Sequence, residues 1–438
     1  MYTHHIEKKE IDFNILYVLI FLFVTTSCVA SEVNTIYGAG LHLGQGKHEA
    51  SMATASLRVM GLNSFRDEIY WSRFEDVDGK FRIERIPPEL RKALEDPRLG
   101  QRAMIILGYG NDRYDGGGRP TTDAGRAAFT RYALEVSRTY PRLGYLEIWN
   151  EWNHAIGVKD GSKGNADDYV KLVASTATAL RNSGTKSKII IGGLADDLPD
   201  WPFARSLVQK GILRYADAFS VHLYNYSAGN KATPAEMFER LNRLQEILRT
   251  GNGGKDFPIM VTEMGWPTHE GKTSTTEIQS GAFLSQFIFE ATTYPWLQGV
   301  WIYELFNSGT NPTDREHNFG ILKNNGAVKA GTCAIRETLA LLKGAQYAKQ
   351  GTTAGGAHWI QFRSGEKSFF VAYSPKRNGD SEVAIASELL ESTIRLCGAS
   401  IQMPNTKTAA TFTPMAVSNT PIVIWSSDAN AVVANVLR

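Results

Sequence analysis

Two short segments of this 438-residue chain each carry an apolar run directly into a glutamate. They are Tyr145-Leu-Glu-Ile-Trp-Asn-Glu-Trp152 and Phe257-Pro-Ile-Met-Val-Thr-Glu-Met-Gly-Trp266. Glu151 and Glu263 fall where each predicted buried strand ends, so in a parallel barrel both carboxylates would project from the same rim. Two carboxylates held opposite each other can hydrolyse a glycosidic bond.

The roles of the two glutamates follow from that geometry. Glu151 would be the general acid and base, with a pKa raised by an enclosed setting, and Glu263 would be the nucleophile. Strand ends across a barrel mouth bring carboxyl groups to about 5 Å, the spacing for retention of configuration through a covalent glycosyl-enzyme. The alternative is that each glutamate is a salt-bridged residue of the rim. Two such ends, both flanked by aromatic residues, favour catalysis.

Short apolar runs alternate with longer amphipathic ones from residue 35 to about 345, a pattern typical of repeated βα units and a parallel sheet. Eight units can be counted, which predicts a (β/α)₈ TIM barrel with catalytic residues after its strands. The predicted strands are Thr35 to Leu43, Ser64 to Ile69, Ala103 to Gly108, Tyr145 to Asn150, Lys188 to Gly192, Ala218 to Tyr224, Pro258 to Glu263 and Gly299 to Glu304.

After residue 345 the pattern changes to short alternating runs such as Ser368-Phe-Phe-Val-Ala-Tyr373, separated by Gly, Ser, Asn and Pro. This pattern predicts a small all-β sandwich. The predicted organisation is therefore an export signal over residues 1–30, a catalytic barrel over 31–345 and an accessory β-sandwich over 346–438.

Composition narrows the class of partner. The chain is 43% hydrophobic and 21% charged with a net charge of +2, so it has no basic field for nucleic acid. No H-E-x-x-H motif and no cysteine pair at metal-ligand spacing occurs in the sequence, so we predict no metal and no cofactor. We expect a monomer that binds a polysaccharide or oligosaccharide.

The first thirty residues have the features of a leader. Lys8 and Lys9 precede an apolar run from Ile15 to Val24, which a small-residue exit follows. The run is too short to span a bilayer, so we expect no integral membrane span in the mature chain. An exported protein, periplasmic or extracellular, is the prediction, with lipid anchoring through Cys28 as an alternative.

Two cysteines remain beyond the leader, Cys333 and Cys397. They can pair in an oxidising compartment, but with so few cysteines in the chain we favour two buried free thiols.

The segment Trp149-Asn150-Glu151, together with Thr262-Glu263-Met-Gly-Trp266, resembles the catalytic pair of clan A glycoside hydrolases. Within that clan it is most similar to family 39 and to related secreted hydrolases that act on bacterial exopolysaccharides. The resemblance covers roughly residues 31 to 345. It implies that Glu151 is the acid/base and Glu263 the nucleophile, in agreement with the assignment from position.

The resemblance also implies roles for neighbouring residues. Asn150 would contact the sugar 2-hydroxyl, and Arg66 would steady the nucleophile. His222 and Tyr224 resemble the His-x-Tyr pair of the clan, with the phenol donating to the nucleophile; a core histidine is the alternative for His222. The sequence departs from the common pattern at Trp152, where proline is usual, so we expect this side chain on the leaving-group side.

Further candidates for sugar binding follow the strands. On the eighth strand Glu304 and Trp301 could grip the sugar in the central subsite, although Trp301 equally suits the barrel core. Aromatic and amide residues in the loops suit other sugar positions, since sugar rings stack on aromatic faces. They are Trp71, Tyr109, Asn111, Asp112, Asn225, Tyr226 and Trp266.

The sequence thus predicts a retaining glycoside hydrolase that cleaves β-glycosidic bonds by double displacement. The loop aromatics favour an endo-acting enzyme on a polysaccharide, such as a bacterial exopolysaccharide. One alternative is an exo-acting β-xylosidase-like enzyme, if the loops after strands three and six close the cleft into a pocket. Another is a noncatalytic polysaccharide-binding or assembly factor that kept the barrel.

Overall fold

Eight parallel strands close into a barrel in the computed structural model, which describes residues 35–159, 161–195, 197–198, 200–398 and 411–438. The strands follow one another in chain order around the barrel, and β1 pairs with both β2 and β8. The predicted (β/α)₈ fold is confirmed. The strands are β1 (Ile36–Gly40), β2 (Ser64–Tyr70), β3 (Met104–Gly108), β4 (Tyr145–Ile148), β5 (Lys188–Leu194), β6 (Ala218–Leu223), β7 (Ile259–Met264) and β8 (Leu297–Ile302).

Helices between the strands cover the outside of the barrel. Four of the long ones begin after a side chain that accepts a hydrogen bond from a backbone N–H of the first turn, namely Thr122, Asn165, Thr233 and Thr276. The helices are α1 (Ala50–Met60), α2 (Trp71–Phe74), α3 (Pro88–Glu95), α4 (Asp123–Thr139), α5 (Ala166–Asn182), α6 (Pro202–Gln209), α7 (Pro234–Gly251), α8 (Glu277–Ala291) and α9 (Thr332–Leu342).

The C-terminal residues form two antiparallel sheets, which confirms the predicted all-β region. Five strands pair in the order β13-β15-β11-β10-β9, and β12 pairs with β14. The strands are β9 (Gln346–Thr352), β10 (His358–Ser364), β11 (Lys367–Tyr373), β12 (Ser381–Ala386), β13 (Thr393–Arg395), β14 (Phe412–Val417) and β15 (Ile422–Ser426).

One hydrophobic cluster includes residues of the barrel, its helices and the five-stranded sheet, and these parts form one compact unit. The ring of Phe289 in α8 packs on Phe362 in β10, and Gln286 Nε2 donates to the carbonyl of Asn419 at 2.6 Å. The sheets therefore pack against the outer helices of the barrel. The division near residue 345 and the predicted leader stay predictions, and residues 1–30, with Cys28, lie outside the described residues.

The two cysteines beyond the leader are not free thiols. Cys333 in α9 and Cys397 after β13 form a disulfide across 64 positions, so the favoured pair of free thiols is wrong. The backbone N–H of Cys397 also donates to Glu337 Oε2 at 2.8 Å. The covalent bond therefore joins the last barrel helix to the sheets.

Every helix among the described residues is too short or too polar to cross a membrane.

Candidate active site

Both predicted catalytic glutamates lie at the mouth of the barrel where the strands end. Glu263 is the penultimate residue of β7, and Glu151 follows β4 in the next loop. Trp149 and Glu151 have positive φ angles of 70° and 50°, a left-handed conformation that costs a non-glycine residue on the order of 1–3 kcal/mol. The N–H of Glu151 donates to the carbonyl of Gly193 at 2.9 Å, so β5 holds this strained turn in place.

The two carboxylates lie close together. One oxygen of Glu151, one oxygen of Glu263 and a ring nitrogen of His222 all lie within 4.8 Å of one another. Inverting glycosidases separate their carboxyl groups by roughly 6.5–9.5 Å to admit a water, whereas retaining ones hold them about 5–5.5 Å apart. The spacing fits direct attack by one carboxylate.

Glu263 is held as an anion. Arg66 Nη1 donates to Glu263 Oε1 at 2.6 Å, and the Tyr224 hydroxyl donates to Oε2 at 2.8 Å. Burial raises the pKa of Glu263, but the charges of His222 and Arg66 and these hydrogen bonds lower it further, so the net pKa lies below its ordinary value. An ionised carboxylate at neutral pH is what a nucleophile requires.

Arg66 links Glu147, Asn150 and Glu263. Its Nε donates to Glu147 Oε2 at 2.7 Å, and its Nη2 donates to Asn150 Oδ1 at 2.8 Å. Glu147 is fully buried beneath the site and also accepts from the Thr262 hydroxyl at 2.9 Å. The guanidinium is therefore anchored from below, and its position sets those of Asn150 and Glu263.

Glu151 forms a hydrogen bond with a buried histidine. His222 Nδ1 lies 2.7 Å from Glu151 Oε1 and 3.6 Å from Glu263 Oε2. Burial lowers the pKa of His222, yet the charge of Glu263 and the hydrogen bond with Glu151 raise it more, so the net pKa is raised. The imidazole is thereby held against the carboxyl group of Glu151.

The same three side chains are the group among the described residues that could surround a metal ion. Both oxygens of Glu263 already accept hydrogen bonds from Arg66 and Tyr224. A guanidinium in contact with Glu263 repels a second cation. The donor set therefore suits acid–base chemistry better than metal binding.

A cavity of about 330 Å³ opens above the two glutamates. Besides Glu151 and Glu263, the predicted residues Arg66, Tyr109 and Asn150 line it, together with Tyr224 and Tyr226. His222 lies beneath it and is fully buried. The other lining residues are His42, Gln45, Glu68, Ile106, Ile156, Tyr303, Glu316 and Phe319.

Three predicted aromatic contacts lie in the packing behind the cavity. Trp71 stacks on Tyr114, Trp152 donates its indole N–H to the carbonyl of Asn165 at 2.9 Å, and Trp266 packs on Phe283. All three indoles are nearly or fully buried. They support the walls and do not line the cavity.

The amide candidates also support the walls. Asn111 donates to Glu75 Oε2 at 3.1 Å, and Asn225 accepts from the indole of Trp266 at 3.0 Å. Asp112 forms an exposed ion pair with Lys159. Each of these side chains holds loop structure around the mouth.

The two candidates from the eighth strand, Glu304 and Trp301, lie in different parts of the barrel. Glu304 is fully buried, and its Oε2 lies 3.0 Å from Nε2 of His42, which lines the cavity. Trp301 lies in the amino-terminal half of the barrel interior, where its indole donates to Ser64 Oγ at 3.0 Å. A Cβ at Gly38 would lie 2.4 Å from its ring, so that glycine makes room for the indole. The contacts of Trp301 favour the barrel-core alternative.

Sequence reasoning missed several residues of the cavity wall, notably His42, Gln45, Glu68 and Glu316. For Glu68 a signal existed. It is two residues beyond Arg66 on β2, and alternate residues of a strand face the same side. The loop residues carry no comparable signal.

No family model matches the chain, and none of the curated proteins searched is similar to it. A family 39 glycoside hydrolase from the gut symbiont Bacteroides cellulosilyticus WH2 has a similar structure, with a TM-score of 0.71 and 19% identity over 90% of this chain and 80% of that one.

Two further solved structures are similar. A monomeric β-xylosidase from Caulobacter crescentus CB15 matches with a TM-score of 0.58 and 13% identity over 90% of this chain and 96% of that one. The catalytic domain of family 30 xylanase C from Talaromyces cellulolyticus matches with a TM-score of 0.58 and 11% identity over 90% of this chain and 97% of that one. The chain therefore has the fold of clan A glycoside hydrolases, with family 39 enzymes among the structures it resembles.

Proposed function

We propose that this protein is a retaining glycoside hydrolase that cleaves β-glycosidic bonds by double displacement. The observation that carries the proposal is the pair Glu151 and Glu263: one oxygen of each lies within 4.8 Å of the other, and the two carboxyl groups have different surroundings. Arg66 and Tyr224 donate to Glu263 and keep it ionised, whereas Glu151 is hydrogen-bonded to His222. That difference separates nucleophile from acid.

The mechanism follows from these contacts. Glu263 attacks the anomeric carbon while Glu151 protonates the departing glycosidic oxygen, which leaves a covalent glycosyl ester on Glu263. Glu151, now ionised, removes a proton from water, and the water displaces Glu263 with a second inversion. The hydrogen bond between His222 Nδ1 and Glu151 Oε1, at 2.7 Å, holds this carboxyl group in position through both steps. Asn150, fixed by Arg66 at 2.8 Å, is placed to bind the 2-hydroxyl.

The cavity supports a short binding site. Its volume of about 330 Å³ is at the lower end of the ~300–1,000 Å³ typical of ligand pockets. The endo-acting interpretation rested on loop aromatics, of which Tyr109 and Tyr226 line the cavity, whereas Trp71 and Trp266 are buried. An exo-acting, β-xylosidase-like mode is therefore better supported than endo cleavage of a long polymer such as an exopolysaccharide.

We further propose that the protein is exported and acts as a monomer. The disulfide between Cys333 and Cys397 supports an oxidising compartment. The C-terminal sheets are proposed to stabilise the barrel, since one hydrophobic cluster includes residues of the barrel, its helices and the five-stranded sheet.

The test is hydrolysis of 4-nitrophenyl β-glycosides and β-linked polysaccharides by the wild type and by Glu151→Gln and Glu263→Gln. Each variant should lose at least about 100-fold in rate, while Glu84→Gln, an exposed carboxylate, should match wild type. Proton NMR of the first product should show the β anomer, and product lengths distinguish exo from endo cleavage. Cleavage that persists in both variants refutes the site. Specific polysaccharide binding without any cleavage favours the noncatalytic alternative.

A further inference from the structure

Glu68 places a carboxylate on the cavity wall with one oxygen unused by the protein. The residue is 4% exposed, and its Oε1 accepts hydrogen bonds from Gln45 Nε2 at 2.8 Å and from the Tyr70 hydroxyl at 2.9 Å. Among the described residues no donor bonds to Oε2, which is not enclosed by protein atoms. A nearly buried carboxylate with hydrogen bonds to only one of its oxygens can accept hydrogen bonds from a ligand at the other oxygen.

The surroundings of Glu68 form a built site. Asp67 accepts the backbone N–H of Leu43 at 2.7 Å and that of Gly44 at 2.9 Å, which binds the loop after β1 to β2. A Cβ at Gly44 would lie 2.2 Å from the carbonyl oxygen of Glu68, so only glycine permits this close approach. The loop thereby holds Gln45 against Glu68.

The charge of Glu68 is not neutralised by its hydrogen-bond partners. Both donors, an amide and a phenol, are neutral. Arg66 pairs with Glu147 and Glu263, and His42 pairs with Glu304. Arg73 lies over the ring of Tyr70 and donates to the carbonyl of Gly44. The free oxygen therefore attracts hydroxyl donors and repels a carboxylate.

The position of Glu68 indicates which part of the substrate it meets. Glu151 follows β4 and must stand beside the leaving group. Glu68 is two residues beyond Arg66 on β2, and Arg66 contacts the nucleophile Glu263 at 2.6 Å and Asn150 at 2.8 Å. The side of the cavity next to the nucleophile receives the sugar whose anomeric carbon reacts.

We propose that Glu68 is a specificity-determining residue, whose free carboxylate oxygen binds hydroxyl groups of an uncharged glycone and excludes uronic acids. The proposal rests on the proposed function and names its substrate class. Gln45 acts through Glu68 as a positioning residue.

The experiment measures kcat/KM on 4-nitrophenyl β-D-glucoside and β-D-galactoside, on their uronic acid counterparts, which differ at C6 alone, and on any polysaccharide that the protein cleaves. The test variant is Glu68→Gln, which keeps the shape and can still accept from Gln45 and Tyr70. Its kcat/KM on the neutral substrate should fall about 10- to 150-fold, as expected for loss of a charged acceptor. The ratio of kcat/KM on the neutral substrate to kcat/KM on the uronic substrate should fall at least tenfold. Glu84→Gln is the surface control.

Several results would overturn the assignment. A wild type that cleaves the uronic substrate as fast as the neutral one refutes the exclusion, and an unchanged Glu68→Gln refutes the contact. Glu316→Gln removes a carboxylate elsewhere on the cavity wall. If this variant reduces the preference for neutral over uronic substrates as much as Glu68→Gln does, the selection comes from the total negative charge of the cavity and not from Glu68. If Glu151→Gln and Glu263→Gln lose cleavage while Glu68→Gln has wild-type kcat/KM, the proposed function stands and only the inference about Glu68 is refuted. No cleavage by wild type removes both.

Discussion

Tyr224→Phe removes a hydroxyl group that donates a hydrogen bond to the nucleophile Glu263. The Tyr224 oxygen donates to Glu263 Oε2 at 2.8 Å. Burial and the charge of Glu263 hold the pKa of Tyr224 well above its ordinary value, so the phenol remains a donor at every working pH. The ring packs edge-to-face on Tyr303 and Phe319 with centroids 6.2 and 5.6 Å away, and phenylalanine keeps those contacts. The change is therefore confined to one hydrogen bond.

The size of the effect follows from that bond. A hydrogen bond to a charged group contributes about 1.5–3 kcal/mol, and one pKa unit corresponds to about 1.4 kcal/mol. Loss of the donor should therefore raise the pKa of Glu263 by about 1–2 units. Because Glu263 must be ionised to attack, the acid limb of the kcat/KM profile should move to higher pH by that amount.

The assay is a pH profile of kcat/KM on the best aryl glycoside. Below the acid limb the variant should be about 10- to 100-fold slower, and above it the two profiles should converge to within about tenfold. Tyr145→Phe, at the start of β4 and so at the opposite end of the barrel, should leave the limb in place. An acid limb that stays fixed or moves to lower pH in Tyr224→Phe would refute the assignment of Glu263 as the ionised nucleophile.

The same change has a consequence for stability. The pKa of Glu263 is depressed in the folded state, so this group stabilises the protein above its unfolded pKa of about 4.3 and loses that contribution as the pH falls through the folded value. Raising the folded pKa should reduce the melting temperature of Tyr224→Phe at pH 7 more than at pH 3. An equal loss at both pH values would indicate a packing defect.

Two other predictions concern the framework. Cys333→Ser should lower the free energy of unfolding by about 4 kcal/mol by the loop-entropy model for a bridge that spans 64 positions. Urea unfolding measures this loss, and reduction of the wild type should produce the same loss. Adding Cys397→Ser to Cys333→Ser should cause no further loss. Trp301→Phe should cost about 1–3 kcal/mol of stability, because it removes the hydrogen bond to Ser64 and leaves a cavity, while KM stays within about twofold; a large rise in KM would place this indole in the sugar site instead.

The barrel was predictable from the sequence because its signal is local. Each strand is a buried apolar run bounded by polar residues, and the alternation with amphipathic helices specifies a parallel sheet. Glu151 and Glu263 were identifiable for the same reason, since a strand end in a barrel is a position at the mouth.

The direction of a side chain beyond a strand end was not predictable. Trp71 and Trp266 follow their strands as sugar-stacking residues would, yet both rings turn into the packing against Tyr114 and Phe283. Such choices depend on backbone dihedrals like the left-handed φ of Trp149, which composition does not reveal. The disulfide was equally hidden, because pairing requires two Cα atoms to lie close in space, here at 5.3 Å, and sequence spacing does not report that distance.

The closure of the barrel between its first and last strands has a consequence for synthesis. Thr35, the residue before β1, donates from Oγ1 to the carbonyl of Leu297 in β8, a partner 262 positions later in the chain. At ~5–20 residues per second, roughly 13–50 s of translation separate the emergence of the two strands from the ribosome. During that interval β1 has a free hydrogen-bonding edge on the side that β8 will occupy. The nascent chain therefore depends on protection of this edge until residue 302, the end of β8, has emerged.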